Sequence, residues 1–297
     1  MRKSRILTVF LALAVVFTMS FAAVPAYAAS GTAITSVDDL KAMENNPGGS
    51  YYLANDIEVP EGLSLFTDSR TPFTGTFDGN GYAIKNYTYS TTTEDLMHAG
   101  LFCRTKNASF KNLTMTNVNI SVKSGGNFAA LAAYGQGTTF ENITVSGKLS
   151  TSGIINTLGA IVGSLSGGSL TNCTNKADVT VTGAADAAAA GVAGAASANT
   201  TVKNCTNSGA ISISGPIDGG RSYRAAGVTN AAGKVISCKN TGAVSVTTSG
   251  SAEGAVSLSA AGVVGTSSKQ ITSCTNTGKI TMNSTVEVSR SILMGGV

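Results

Sequence analysis

The sequence of 297 residues contains no tryptophan, a single histidine and few charged residues, which make up 12% of the chain. The absence of tryptophan argues against a flat aromatic platform that stacks on sugars. The one histidine, His98, and five cysteines without a Cys-x-x-Cys pair fit no zinc-binding spacing. The sequence therefore predicts no cofactor and no metal site.

Long apolar runs are confined to the N-terminus. Residues 1–5 are basic, residues 6–21 are apolar, and Ala26-Tyr27-Ala28 has the small-x-small pattern of a cleavage site. We predict a signal peptide over residues 1–28 and a secreted or cell-surface location. A membrane anchor is disfavoured because the apolar run is short, and no transmembrane segment is predicted after signal cleavage.

Charge of either sign is also scarce in the mature chain. Removal of the signal takes away three of the 20 basic residues, which leaves 17 against 16 acids. Nucleic acid is therefore not predicted as a partner. Residues 101–297 carry 14 basic residues against six acids. A solvated surface explains this excess, and attraction to anionic glycans or cell-wall polymers is the functional alternative.

What the sequence does contain is a repeated phrase: an apolar residue, a spacer, Asn or Ser, then an apolar residue or Cys. The phrase begins at Ile84, Phe110, Phe140, Leu170, Val202, Val235 and Ile271, at steps of 26, 30, 30, 32, 33 and 36 residues. A small apolar phrase, such as Gly262-Val263-Val264, lies upstream in most units. Self-similarity at this period indicates stacked units rather than one closed core.

Each unit contains three short extended segments separated by turns. In one unit we predict Gly191–Gly194, Thr201–Thr206 and Ala210–Ser214. Gly, Thr, Val and Asn favour strands and turns, and no apolar pattern at helical spacing is present. We therefore predict an all-β fold, a parallel β-helix of about seven coils with three short strands per coil.

One feature of the repeat conflicts with a simple strand. Strict alternation places Val202 and Cys205 on opposite faces, although both are apolar. A bend or bulge near Asn204 would let both side chains point into the coil.

Stacking in register would align equivalent side chains into structural ladders. The predicted columns are Cys173, Cys205, Cys238 and Cys274, and Asn175, Asn207, Asn240 and Asn276. Stacked amides can bond along their column. Free buried thiols are favoured, since parallel in-register side chains do not readily reach disulfide torsions, although an exported chain can form disulfides. We interpret Gly209, Gly242 and Gly278, two residues after their asparagines, as allowing a sharp corner.

The region before the repeats has a different character. We predict that residues 29–99 form an N-terminal cap and the first coil, and that residues 100–297 form the β-helix repeats. A short helix should begin after Ser36, with Asp39 at the capping-box position, and cap the first coil. The sequence stops at Gly296-Val297, at the start of another repeat, so we expect a fragment.

Three stretches resemble a known family. Tyr51–Ile57, Phe73–Tyr87 and Gly100–Phe102 are similar to the start of the GLUG-type modules of bacterial surface proteins. The later units resemble degenerate GLUG repeats, so the resemblance covers about residues 34–297. It implies a right-handed β-helix, export, and a role in surface adhesion or display.

No catalytic constellation stands out, because the acids after residue 100 are scattered and no two lie within five residues. We predict a non-enzymatic module for adhesion or ligand display, with host or matrix glycans or proteins, or cell-wall polymers, as partners. The alternatives are a carbohydrate-active lyase or hydrolase, by fold analogy, and an inert structural stalk. Weak surface-contact candidates are Asp218, Arg221 and Arg224, in a glycine-rich insertion.

Overall fold

A computed structural model describes residues 30–92, 96–183, 186–216, 222–250, 257–285 and 291–297. The chain winds into a β-helix of about seven coils. Its strands form two sheets of 13 strands and one of seven, and neighbouring coils pair in parallel. The predicted fold is confirmed. The predicted signal peptide lies outside the described residues.

The three sheets run side by side along the coils. Sheet 1 contains Thr32–Ile34, Ser50–Leu53, Thr76–Asp78, Phe102–Lys106, Ser109–Lys111, Ala132–Gln136, Thr139–Glu141, Val162–Ser166, Gly168–Thr171, Ala193–Ala196, Thr200–Lys203, Thr229–Ile236 and Val264–Thr272. Sheet 2 contains Ile57–Glu58, Ala83–Lys85, Thr88–Thr91, Thr114–Val122, Thr144–Thr151, Thr174–Asn175, Asp178–Thr182, Thr206–Asn207, Ile211–Pro216, Lys239–Asn240, Val244–Ser249, Thr275–Asn276 and Ile280–Ser284. Sheet 3 contains Leu96–Ala99, Gly125–Phe128, Ile155–Gly159, Ala187–Ala190, Ser222–Ala226, Ser257–Ala261 and Ser291–Gly295.

One coil shows how the chain passes from sheet to sheet. It leaves sheet 3 at Ile155–Gly159, turns a short corner, and enters sheet 1 as Val162–Ser166 and Gly168–Thr171. It then bends into sheet 2 as Thr174–Asn175 and Asp178–Thr182. Each coil thus contributes to all three sheets, and stacking on the next coil supplies the backbone partners that one coil lacks.

The N-terminal helix covers the first coil as predicted. It spans Val37–Ala42, continues into a 3-10 turn at Met43–Asn45, and packs against the first strand of sheet 1. The Ser36 hydroxyl accepts a hydrogen bond from the Asp39 backbone N–H at 3.2 Å, and the Asp39 carboxylate accepts one from the Ser36 N–H at 3.0 Å. This reciprocal pair is a capping box. Leu40 carries the helix into the core and is fully buried.

Asparagine produces the bend between sheets 1 and 2. Asn204 has a φ of +53°, and both Val202 and Cys205 are fully buried. Asparagine tolerates this left-handed conformation better than most residues. The equivalent residues, all with φ between 52° and 55°, are Asn112, Asn142, Asn172, Ser237 and Ser273. The left-handed residue at this position therefore lets side chains three positions apart point into the same interior.

Two details of the repeat differ from the sequence interpretation. Ile84 pairs with Met115 in sheet 2, whereas Phe77 pairs with Phe110 in sheet 1. In sheet 1 the residue in register before Phe110 is therefore Phe77, and the step between them is 33 residues rather than 26. The phrase at Ile84 belongs to a different sheet.

The glycines after the ladder asparagines do not serve a left-handed corner. A Cβ at Gly209 would lie 1.9 Å from the Ala177 carbonyl oxygen, and one at Gly242 would lie 2.0 Å from the Gly209 oxygen. Neither glycine has a positive φ. Glycine is required there because the rungs approach so closely that no side chain fits.

The interior changes character along the axis. In the early coils six phenylalanines pack together, with ring centroids of contacting pairs 4.8 to 6.3 Å apart: Phe66, Phe73, Phe77, Phe102, Phe110 and Phe140. Later coils are filled with valine, alanine and the two ladders. The same cross-section is therefore packed in two ways.

Candidate binding cleft

The asparagines predicted as a ladder lie inside the coil. Asn175 Nδ2 donates to Asn207 Oδ1, Asn207 to Asn240 and Asn240 to Asn276, each at 2.7 Å. Each amide also donates to a backbone carbonyl two residues on, at 2.8 to 3.0 Å. The first three side chains are fully buried. This column bonds coil to coil and offers nothing to a ligand.

The four cysteines of the repeat occupy equivalent positions in successive coils and are free thiols: Cys173, Cys205, Cys238 and Cys274. Each sulfur lies 3.3 to 3.4 Å from the carbonyl oxygen two residues before it. Burial raises the pKa of the Cys205 thiol well above its usual value, so it stays protonated. The column belongs to the core.

A cleft follows the outside of the corner where sheets 3 and 1 meet. Its central part has a cavity volume of about 320 Å³. The sheet 3 wall contains Thr157, Ala188, Arg224, Ser259 and Leu293, and the sheet 1 wall contains Ala195, Ala231 and Thr266. We call this the outer cleft. It crosses several coils and is lined mainly by small side chains.

Of the three weak surface-contact candidates, one reaches this cleft. Arg224 is exposed on sheet 3, where it pairs in register with Ala188 on one side and Ser259 on the other. Asp218 and Arg221 lie outside the described residues. Arg224 thus places a cation among small neutral neighbours.

Glycine in the strands of sheet 1 lets sheets 3 and 1 approach each other closely at this corner. A Cβ at Gly163 would lie 2.9 Å from the backbone N and O of Phe128, and one at Gly194 would lie 2.9 Å from the Thr157 Cβ. Contacts this short do not occur in proteins, so only glycine is compatible with the close approach of sheet 3.

Asn230 is the polar exception at the base of the cleft. Its side chain is 7% exposed, and its Nδ2 donates to the carbonyl oxygens of Ala189 and Gly194, at 3.0 Å each. Its Oδ1 is buried and has no hydrogen-bond partner among the described residues. An unpaired buried acceptor costs about 1–3 kcal/mol, and a donor from a ligand would relieve that cost.

A row of polar side chains continues the sheet 3 wall toward the N-terminus. Thr157 Oγ1 donates to Asn127 Oδ1 at 2.8 Å, and the Asn127 backbone N–H donates to His98 Nδ1 at 3.3 Å. Desolvation, assisted by the charge of Arg104, lowers the pKa of His98 to about 4. The imidazole is therefore neutral at pH 7, and it stacks on Tyr134 with centroids 5.9 Å apart.

Beside this row lies a second cavity of about 190 Å³, which we call the basic pocket. Its lining includes Ser69, Arg70, Arg104, Lys106, Tyr134 and Gln136. Three of its lining residues are cationic and none is acidic. Sequence reasoning missed both cavities, because neither is formed by neighbours in the chain.

Comparison with known proteins gives a family match for part of the chain. Residues 26–147 match the family model described as the N-terminal region of the M26 IgA1-specific metallo-endopeptidases. Halomucin of Haloquadratum walsbyi is 29% identical over 147 residues, which is 44% of this chain and 2% of halomucin. Both matches cover less than half of the chain.

Two solved structures share the fold over most of the chain. A protein of Bacteroides ovatus assigned as an immunoglobulin A1 protease superposes with a TM-score of 0.54 at 16% identity, over 87% of this chain and 86% of that protein. A structure named IgA1 protease gives 0.55 at 21% identity, over 89% of this chain and 20% of that one. The chain therefore spans a small part of the longer proteins that it matches.

These similarities correct the predicted function. The prediction of a non-enzymatic module for adhesion or ligand display was wrong, because the matching family and both structures are named as peptidases. They give no support to a carbohydrate-active enzyme or an inert stalk either. The resemblance to GLUG modules led to the right fold, but the family model that matches describes the M26 region.

The residues of this chain do not fit the metal site that a metallo-endopeptidase requires. No group of three or more His, Cys, Asp or Glu side chains suited to a metal lies within the described ranges. The sequence has one histidine, whereas the His-Glu-x-x-His motif needs two.

Within the described ranges no helix is long and apolar enough to cross a membrane.

Proposed function

We propose that this chain is the substrate-holding β-helix of an exported peptidase related to the M26 metallo-endopeptidases, and that it holds an IgA1-like glycoprotein. The match of residues 26–147 to the M26 N-terminal region carries the proposal, and the fold shared with two proteins named as IgA1 proteases supports it. Peptide hydrolysis would then fall to a metal site on residues other than these, since the donor set here does not fit one.

The outer cleft is the surface suited to this task. It extends over the rungs from Thr157 to Leu293, and coils spaced at about 4.8 Å make that length roughly 20 Å. Binding sites are typically concave and combine apolar surface with placed polar groups, and this cleft combines alanine and leucine with serine, threonine, Asn230 and Arg224. Asn230 Oδ1 and the Arg224 guanidinium are the polar groups that would fix the orientation of a bound segment.

A β-helix is a suitable support for such a surface. The cleft walls are strands whose backbone groups bond to neighbouring coils, as at Ala188–Arg224 and Arg224–Ser259. A site on paired strands loses little conformational entropy when it binds. Export is part of the proposal, because the N-terminal 28 residues have the pattern of a signal peptide and immunoglobulins are extracellular substrates.

Binding of the exported chain to IgA1 and to IgA2, measured by biolayer interferometry, tests the proposal. We expect binding to IgA1 that exceeds binding to IgA2 at least tenfold. The substitution Ala231→Arg, which fills the cleft, should weaken IgA1 binding by a similar factor. Thr247→Arg, on the exposed face of sheet 2, is the matched control and should change nothing. Equal binding to both immunoglobulins, or equal loss in both variants, would reject the proposal.

A further inference from the structure

The basic pocket has a floor built from two neighbouring rungs of sheet 1. Tyr134 pairs with Arg104, and Gln136 pairs with Lys106. Alternate residues of a strand share a face, so these four side chains form a grid on the outer surface. Its spacings are about 4.8 Å between rungs and roughly 6.6 Å along each strand. The grid combines two cations, an aromatic ring and an amide.

One wall of the pocket is a segment that the fold holds at both ends. Before residues 66–72, the Cys103 N–H donates to the Leu65 carbonyl at 2.7 Å. After them, the Lys106 N–H donates to the Phe73 carbonyl at 2.8 Å. The segment between these bonds stands over the floor and supplies Ser69, Arg70 and Pro72 to the lining. The pocket is therefore built, not an incidental surface dip.

The cations on the floor lack acidic partners. Arg70, on the wall, pairs with Asp68 at 2.9 Å. Neither Arg104 nor Lys106 forms an ion pair with any described residue. The Nε of Arg104 is buried and has no hydrogen-bond partner in the same part of the chain. A guanidinium edge of this kind can donate two parallel hydrogen bonds to a carboxylate.

The backbone around the pocket has no free groups with which an extended peptide could pair. It therefore favours a ligand whose own polar groups contact the side chains of the pocket. The Arg104 carbonyl already accepts from the Phe73 N–H at 3.0 Å, and the rung beneath is paired. No strand edge is open there for a peptide to extend. The cavity of about 190 Å³ is also below the roughly 300–1,000 Å³ of a site for a drug-sized ligand. One compact group fits it.

We propose that the basic pocket binds a single acidic monosaccharide unit of a glycan, a sialic or uronic acid. Its carboxylate lies on Arg104 with Lys106 beside it, and its hydroxyl groups bond to Ser69 and Gln136. Recognition is by charge and hydrogen bonds, with no need of a tryptophan platform. This site goes beyond the proposed function, since it does not require the outer cleft to hold a protein.

Isothermal titration of the exported chain with N-acetylneuraminic acid and glucuronic acid tests the assignment, with glucose as the neutral control. A single acidic sugar should bind with a Kd of about 1 mM, a strength typical of one small contact set. Glucose should bind at least tenfold more weakly. Binding should also weaken as salt is raised from 50 to 500 mM, because exposed charges are screened.

Variants locate the site. Arg104→Met and Lys106→Met should each weaken binding of the acidic sugar at least fivefold, whereas Lys176→Met, at an exposed lysine on sheet 2's side of the coil, should not. Lys106 is exposed, so its variant keeps the test valid if Arg104→Met fails to fold. Equal binding of glucose, unchanged binding in Lys106→Met, or tighter binding of an aspartate-rich peptide would overturn the proposal. Loss of IgA1 binding with unchanged binding of the acidic sugar would leave this proposal standing and would count only against the proposed function.

Discussion

The early and late coils solve the same packing problem with different chemistry. Around Phe110 the interior is a cluster of aromatic rings, with Phe102 at 4.8 Å and Phe140 at 5.4 Å. Around Asn207 the interior contains amides that bond along the axis at 2.7 Å. The first solution depends on volume and apolar area, whereas the second depends on uninterrupted hydrogen bonding.

This difference determines how each half should respond to damage. In a solenoid each coil contacts only its neighbours, so a local defect destabilises the adjacent coils first. A cavity in the aromatic region costs packing energy that neighbouring rings partly recover by shifting. A gap in the amide ladder leaves polar groups that cannot shift to another partner. The two halves can therefore be compared by substitution.

The largest effect is expected in the aromatic coils. Phe110→Ala removes a fully buried ring that contacts four others, and it should lower the free energy of unfolding by about 4 kcal/mol. Urea denaturation followed by circular dichroism measures this loss. Phe110→Leu, which keeps most of the volume, should cost only about 1 kcal/mol. Similar losses in both variants would argue against packing as the cause.

The next effect tests the amide ladder. Asn207→Ala leaves Asn240 Oδ1 and one Asn175 Nδ2 hydrogen unpaired in the interior, and it should cost about 3 kcal/mol. Asn276→Ala is the control, because that side chain ends the described ladder and is only half-buried; it should cost about 1 kcal/mol. Urea denaturation measures both losses of unfolding free energy. Equal losses in the two variants would mean that continuity of the ladder is unimportant.

A smaller effect tests the close approach of rungs in the late coils. Gly209→Ala would push a methyl group against the Ala177 carbonyl oxygen. We expect the free energy of unfolding, measured by urea denaturation, to fall by about 2 kcal/mol. Gly48→Ala, in the early part of the chain, has 3.5 Å to its nearest neighbour, and its thermal midpoint should not change. A neutral Gly209→Ala would show that the coils can move apart.

The smallest effect concerns pH at the boundary of the aromatic coils. The folded-state pKa of His98 is lowered to about 4, so the unfolded chain takes up this proton first as the pH falls. Its contribution to stability is complete above about pH 6.5 and declines toward pH 4. Because the ring is only half-buried, we expect this contribution to the free energy of unfolding to be about 1 kcal/mol. Denaturation midpoints at pH 7 and 4.5 measure it, and His98→Gln should remove this part of the slope.

The sequence predicted the architecture because the repeat carries strong local signals. The spacing of the phrases gave the stacking, and the conflict between Val202 and Cys205 correctly indicated a bend at Asn204. The phrase at Ile84 was misaligned because Ile84-Lys85-Asn86-Tyr87 has the same pattern although it lies in sheet 2. Short repeats of this kind match more than one position within a coil.

The cleft could not be predicted for a physical reason. Its lining comes from several coils, and residues such as Ala188, Arg224 and Ser259 become neighbours only when the coils stack in register. Arg104 and Tyr134 meet only because residues 30 apart stack in register. The sequence contains no motif that we interpreted as a peptidase signature, so the similarity of residues 26–147 to the M26 N-terminal region emerged only from comparison with other proteins.

Photo-crosslinking of bound IgA1 most directly tests whether the outer cleft is the working surface. A photo-reactive side chain would be placed at Thr266, on the cleft wall, or at Thr247, on the exposed face of sheet 2. Substrate held in the cleft predicts a covalent product with the immunoglobulin heavy chain from Thr266 and none from Thr247. Crosslinking from Thr247 alone, or equally from both positions, would contradict it.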